Sequence, residues 1–309
     1  MIDLKEKVVL GGLPQQIHIK ANDENKPVLL FLHGGPGISN RHSVMTTNPD
    51  LWNDFIVVAW DQRGTAGSYY GAKAEDLTIE RLTEDAAELV LYLCKKFNRE
   101  KIFVIGGSWG SLLGTWLLYK HPEHIYAFVG FGQVVNIHKN ELLSWQYCID
   151  EATKAGNQKD LDDLNRIGPP EMGVYKGGYD SMRLQRDIMM KYGGYSKDDK
   201  KRNYWDAMVK PVFLSGEYTA KDLWGYLKGY KFVLKAMWDE VGTTDFPATC
   251  TKFDAPIFIL DGRLDMNTPS ELVEDWFNMI EAPRKELFWF EKSGHNPLGD
   301  EPEAFKANL

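Results

Sequence analysis

One stretch of this chain is best suited to do chemistry: a serine bracketed by glycines in Gly106-Gly107-Ser108-Trp109-Gly110. It sits between an apolar, strand-like run (residues 101–105) and an apolar, helix-like run (residues 112–119). A G-x-S-x-G turn between such elements holds the serine in strained geometry and projects its hydroxyl into open space. Glycines are expected at 106 and 110 because side chains there would clash with the neighbouring strand and helix. The hydroxyl becomes a competent nucleophile once a base removes its proton and a third group orients that base. Ser108 is the expected nucleophile. Ser111, already inside the helix start, is expected to cap or pack there.

Where this elbow occurs in hydrolases, the partners follow in the order serine, acid, histidine. Of the histidines after Ser108, only His295, in Ser293-Gly294-His295, falls in a loop just after a late strand-like run. His121 and His124 lie near the end of the elbow's own helix and are expected at the surface. His138 is expected to be solvated, with the pocket as its alternative. The acid belongs in the loop after the penultimate strand, where Asp261-Gly262-Arg263-Leu264-Asp265 offers two carboxylates. Asp265, beyond the Gly-Arg turn, is favoured; Asp261, still at the strand end, is expected to tie down the loop. A tetrahedral oxyanion needs two backbone N–H donors. Trp109 is expected to supply one, and the glycine-rich loop His33-Gly34-Gly35-Pro36-Gly37 the other. Gly35 is the preferred donor, with Gly34 as the alternative and a substrate contact, and His33 is expected to brace the loop.

These groups need a scaffold that brings loop ends together. Continuous apolar runs at Val28–Leu32 and at residues 55–60, 102–105 and 127–131 fit parallel strands buried on both faces. Between them, Ile79, Leu82, Ala86, Leu89, Val90, Leu93 and Phe97 mark one face of a helix capped by Thr78. A lead-in hairpin is expected around residues 8–10 and 17–19. The alternation implies a mostly parallel sheet with right-handed crossovers, flanked by helices. Residues 138–246 break the pattern, with helical stretches interrupted by glycine and proline. They carry 17 basic and 17 acidic side chains, so the formal charge of −8 resides outside them. We therefore expect a core of residues 1–137 and 247–309 and an inserted helical cap of residues 138–246. The strand pattern resumes at residues 257–260 and 287–290, around a helix at residues 270–280.

The acidic balance argues against nucleic acid or an anionic membrane surface as partner. The start of the chain has no apolar signal-peptide core, and no run approaches a membrane span. Three scattered cysteines (Cys94, Cys148, Cys250) suit neither a disulfide framework nor a zinc site, so a cytoplasmic protein is expected. Oligomeric state is not readable.

His-Gly-Gly-Pro-Gly at 33–37, Asp-Gln-Arg-Gly at 61–64, Gly-Gly-Ser-Trp-Gly-Ser at 106–111, Gly-Arg-Leu-Asp at 262–265 and Ser-Gly-His at 293–295 together resemble the proline iminopeptidases and related serine peptidases. The resemblance implies an α/β-hydrolase fold with a helical cap and a triad of Ser108, Asp265 and His295. It also implies a pocket wall shaped by residues 61–64, and neither a metal nor an organic cofactor. The sequence departs from that family's pattern at Thr65-Ala66, at Gly132-Gln133-Val134-Val135-Asn136, where an arginine is expected, and at Met266. An aminopeptidase also needs a cap carboxylate for the substrate's ammonium group. Glu217, at a loop-to-helix junction, is the candidate; a helix-start acid favoured by the dipole is the alternative. Cap aromatics including Trp205, Tyr218, Trp224, Tyr226, Tyr230 and Trp238 are expected partly as core and partly as an apolar roof over Ser108. The leading expectation is a serine hydrolase that releases N-terminal residues from short peptides or aminoacyl amides through an acyl-enzyme. The second is a carboxylesterase for small esters or lactones. The third is a non-catalytic binding protein on the same fold.

Overall fold

A computed structural model describes residues 1–46, 50–196 and 209–309; Trp205 lies outside them. Eight strands form one sheet: β1 Ile2–Leu10, β2 Leu13–Ala21, β3 Val28–Leu32, β4 Ile56–Trp60, β5 Ile102–Gly107, β6 Ile125–Phe131, β7 Ile257–Gly262 and β8 Lys285–Phe290. Their spatial order is β1-β2-β4-β3-β5-β6-β7-β8. The β1–β2 hairpin pairs antiparallel with itself and with β4, and every other pairing is parallel. β3 and β4 are buried along their whole length, as their unbroken apolar runs require. The hairpin strands are longer than their apolar residues indicate. Lys5, Glu6 and Lys7 continue β1 at the sheet edge, where hydrogen bonding and not burial defines the strand.

The helices in chain order are α1 Arg41–Thr46, α2 Leu51–Asp54, α3 Ile79–Phe97, α4 Trp109–Lys120, α5 Ile137–Lys154, α6 Gln158–Ile167, α7 Tyr179–Lys191, α8 Lys210–Leu214, α9 Ala220–Gly242, α10 Phe246–Thr249, α11 Ser270–Met279, α12 Pro297–Asp300 and α13 Pro302–Ala307. Thr78 caps α3, its hydroxyl accepting from Arg81 N at 3.0 Å. α3 and α4 bury Leu82, Leu89, Leu113 and Leu117 on one sheet face, with Leu30, Val58 and Val104. The other face packs Phe31, Ile105 and Phe131 against Leu298 and Phe305 from the last two helices. This is the α/β-hydrolase fold, with a block of helices inserted after β6.

The inserted helices have a core of their own around Cys148, Leu164, Met189 and Leu234. α9 then crosses back over the sheet domain. A side chain at Gly225 or Gly229 would overlap the backbone oxygen of Ala66 or Gly64, so the helix lies directly on that turn. The segment 61–66 is thus a platform for the cap and not a wall of the pocket. No helix among the described residues is long and apolar enough to cross a membrane.

Candidate active site

Ser108 stands at the junction of β5 and α4 with φ 55° and ψ −124°. Few L-residues adopt that backbone, and holding one there costs on the order of 1–3 kcal/mol. The surroundings fix it. Ser108 N donates to Phe131 O at 3.0 Å, while its carbonyl accepts from Ser111 N at 2.8 Å and Ser111 Oγ at 2.6 Å. A side chain at Gly106 would strike the Gly110 carbonyl, and one at Gly110 the Leu32 carbonyl, so both positions require glycine. Ser111 has the packing role its place in the helix suggests, for its hydroxyl also accepts from Val134 N at 2.9 Å.

His295 and Asp265 arrive from the loops after β8 and β7. Asp265 Oδ2 lies 2.7 Å from His295 Nδ1 and accepts from Thr268 Oγ1 at 2.6 Å. Its Oδ1 accepts from the backbone N–H groups of Asn267 at 2.7 Å and Thr268 at 2.9 Å. Four donors around one buried carboxylate hold it in a single orientation, so Nδ1 carries the imidazole proton and Nε2 is left as the basic nitrogen. Asp261 is engaged elsewhere, accepting from Gly132 N at 2.7 Å and Gly262 N at 3.2 Å. Burial, reinforced by the charge of Asp265, raises its pKa to about 7. The cap clamps both loops: Tyr195 O accepts from His295 N at 2.6 Å and Gly194 O from Met266 N at 2.8 Å. His121 and His124 hydrogen bond to Glu84 and to Glu100 O, and neither reaches this cluster.

The glycine loop after β3 lies against the elbow. A side chain at Gly34 would come within 3.3 Å of Ser108 Cβ, and Gly34, Gly35 and Trp109 border the same cavity as Ser108. His33 braces that loop through Gly34 O at 2.9 Å and Gln62 N at 3.1 Å. Burial lowers its pKa to about 4, which keeps the ring neutral and outside proton chemistry. Gln62 accepts from Trp109 Nε1 at 2.8 Å and donates to His33 O at 3.0 Å. One amide thereby bridges the elbow and the start of the glycine loop from behind.

The cavity, about 320 Å³, is bordered by Ser108 and His295 from the core and by Met189, Tyr226, Tyr230 and Trp238 from the cap. Glu217 is not among its lining residues. Its carboxylate lies 2.5 Å from His18 Nδ1, 3.1 Å from Lys5 Nζ and 3.4 Å from Arg41 Nε. Burial alone would push that carboxyl up, but His18 and Lys5 outweigh burial and hold it below the ordinary range. The helix-start alternative fails too, because Asp222 closes the capping box of α9 with Thr219. Glu217 instead joins cap to core, since its partners Lys5, His18 and Arg41 lie on β1, β2 and α1. Glu217→Gln is expected to destabilise the protein by about 1–3 kcal/mol, the cost of losing a buried charged acceptor, since Arg41 keeps Asp61 and Asp222 and Lys5 is 43% exposed. Urea unfolding checks this, and a change under 1 kcal/mol would contradict it.

Glu141, which sequence reading does not single out, does line the cavity. Its Oε1 engages Arg186 and accepts from Asn140 Nδ2 at 3.3 Å. Its Oε2 has no hydrogen-bond partner among the described residues, although the side chain is buried. The available signal was a mixed stripe: Asn140, Glu141, Ser144 and Cys148 all fall on the buried face of α5. A carboxylate on such a stripe stands out only once the stripe is known to face inward.

A family model described as alpha/beta hydrolase fold matches residues 27–167. The chain is 28% identical over 310 residues to the probable aminopeptidase YbaC of Bacillus subtilis (strain 168), covering 100% of this chain and 95% of that protein. It is 32% identical over 287 residues to a probable proline iminopeptidase of Leptolyngbya boryana, covering 90% of this chain and 83% of the relative. Among solved structures, a proline iminopeptidase-related protein from Thermus thermophilus superposes with a TM-score of 0.67 at 17% identity, over 100% of this chain and 96% of that one. At that identity the superposition speaks for the fold.

Proposed function

The chain belongs to the α/β-hydrolase-fold family of the proline iminopeptidases, and from that premise we propose that it is a serine hydrolase releasing N-terminal residues from short peptides or aminoacyl amides. The observation that carries this reading is the 2.7 Å contact of His295 with Asp265, together with the strained Ser108 and His295 bordering one cavity. Ser108 Oγ attacks the carbonyl carbon while His295 Nε2 takes its proton. The oxyanion is met by N–H groups of Trp109 and Gly35, with Gly34 as the alternative donor. The intermediate collapses, His295 returns the proton to the leaving amine, and water then cleaves the acyl-enzyme by the same steps. The three buried, unpaired cysteines suit a reducing compartment, and the reading is of a cytoplasmic enzyme.

The free Oε2 of Glu141 favours an amine-bearing substrate, because a buried carboxylate oxygen without a donor gains most from an ammonium group. Glu141→Gln is expected to raise KM for alanyl and prolyl anilides more than tenfold and to change p-nitrophenyl butyrate hydrolysis less than threefold. Equal losses on both substrates would remove the aminopeptidase reading. A carboxylesterase remains the second reading, supported by the apolar side chains Met182, Met189, Met190 and Leu234 along the same cavity.

A further inference from the structure

Asn267 touches both ends of the Asp–His pair. Its backbone N–H donates to Asp265 Oδ1 at 2.7 Å, and its side-chain Nδ2 lies 3.0 Å from His295 Nε2. With Nδ1 protonated toward Asp265, Nε2 offers only a lone pair, so the amide nitrogen of Asn267 must be the donor. That lone pair is the one a serine proton would have to reach, and an imidazole nitrogen has no second. The residue is also tied to the cap, its carbonyl accepting from Asn140 Nδ2 at 2.8 Å, next to Glu141 in sequence.

We propose that Asn267 is a positioning residue that caps the basic nitrogen of His295 and yields it to Ser108 only when its amide swings away. The inference rests on His295 serving as the base. The amide holds the ring in register between turnovers and lowers the reactivity of Ser108 until substrate fills the site. Once the imidazolium forms, Nε2–H is a donor, and Asn267 can meet it only by turning its carbonyl oxygen inward. The titratable groups that face the ring are Asp265 at Nδ1, Asp261 behind it, and Tyr195, whose ring packs at 4.9 Å.

The experiment follows His295 by ¹⁵N-imidazole NMR titration in the full-length wild type, Asn267→Ala and Asn267→Asp, alongside labelling of Ser108 by a small neutral fluorophosphonate at pH 8.5. Asn267→Asp, which sets a carboxylate beside Nε2, is expected to raise the His295 midpoint by at least one pH unit. Asn267→Ala, which removes the obstruction, is expected to be labelled about tenfold faster than wild type. Both variants keep the backbone donor to Asp265, and thermal melting checks that they fold. A His295 midpoint in Asn267→Asp within 0.3 unit of wild type would overturn the proposal, whether or not the protein hydrolyses anything. Where the wild type is labelled, labelling of Asn267→Ala at or below its rate would overturn it too, because the amide would then be assisting. A shifted midpoint with no labelling of any variant would uphold the contact and remove the serine hydrolase reading instead.

Discussion

Ser108→Ala is expected to lower kcat on any cleaved anilide or ester roughly a millionfold, the loss seen when the nucleophile of such a triad is removed alone. The fold should survive. Ser108 holds its unusual backbone through its own N–H and carbonyl, and alanine keeps both bonds. The melting temperature should therefore move little, and a retained melt with lost turnover separates a chemical defect from a structural one. Residual activity within a hundredfold of wild type would mean that another group attacks the carbonyl, and the elbow would then be a structural turn. Prolyl and alanyl anilides together with p-nitrophenyl butyrate cover both substrate readings in one assay.

Asp265→Asn is expected to cut kcat about 10,000-fold with the fold intact. Two backbone N–H groups point at Oδ1 and demand an acceptor there, which turns the new amide nitrogen toward His295. An N–H facing Nδ1 forces the proton to Nε2, and an imidazole in that tautomer cannot take a proton from serine. Asp261→Asn is the control. Its carboxylate secures the 132–133 turn beside the His295 ring, so stability should fall while turnover stays within about tenfold. Near-normal turnover in Asp265→Asn would transfer the role of the acid to Asp261.

Much of the scaffold was legible because local rules and tertiary demands agree. Buried parallel strands must be apolar on both faces, so β3, β4 and β7 announce themselves. The helix after Thr78 declares itself by its apolar stripe together with its cap. The elbow was legible for a stronger reason, since two backbone approaches there exclude any side chain and the requirement is written as glycine. The edge strand β1 was not fully visible, because residues at a sheet edge need no apolar side chains to pair. The Asp-Gln-Arg-Gly segment was visible as a motif but not as a role. Arg63 turns away to Asp85, at 2.7 Å, and Gln62 works from behind the oxyanion loop.

The two glutamates mark the boundary between the levels. Glu217 and Glu141 have the same side chain, and each lies in the segment read as cap. What separates them is which neighbours meet them: Lys5, Arg41 and the His18 imidazole from the hairpin and α1 for one, and Arg186 with a free oxygen for the other. Those partners lie as far as 212 residues away in the chain, so no local pattern encodes them. The same holds for Asn267, whose neighbour Asp265 is recognisable from the sequence while its contact with His295 spans 28 residues. By itself the sequence determined the fold and singled out a candidate nucleophile, acid and base, because elbow, strand and loop signals are local. Tertiary structure alone decided which charges face the cavity and what meets His295 Nε2, because electrostatic partnership depends on distance in space.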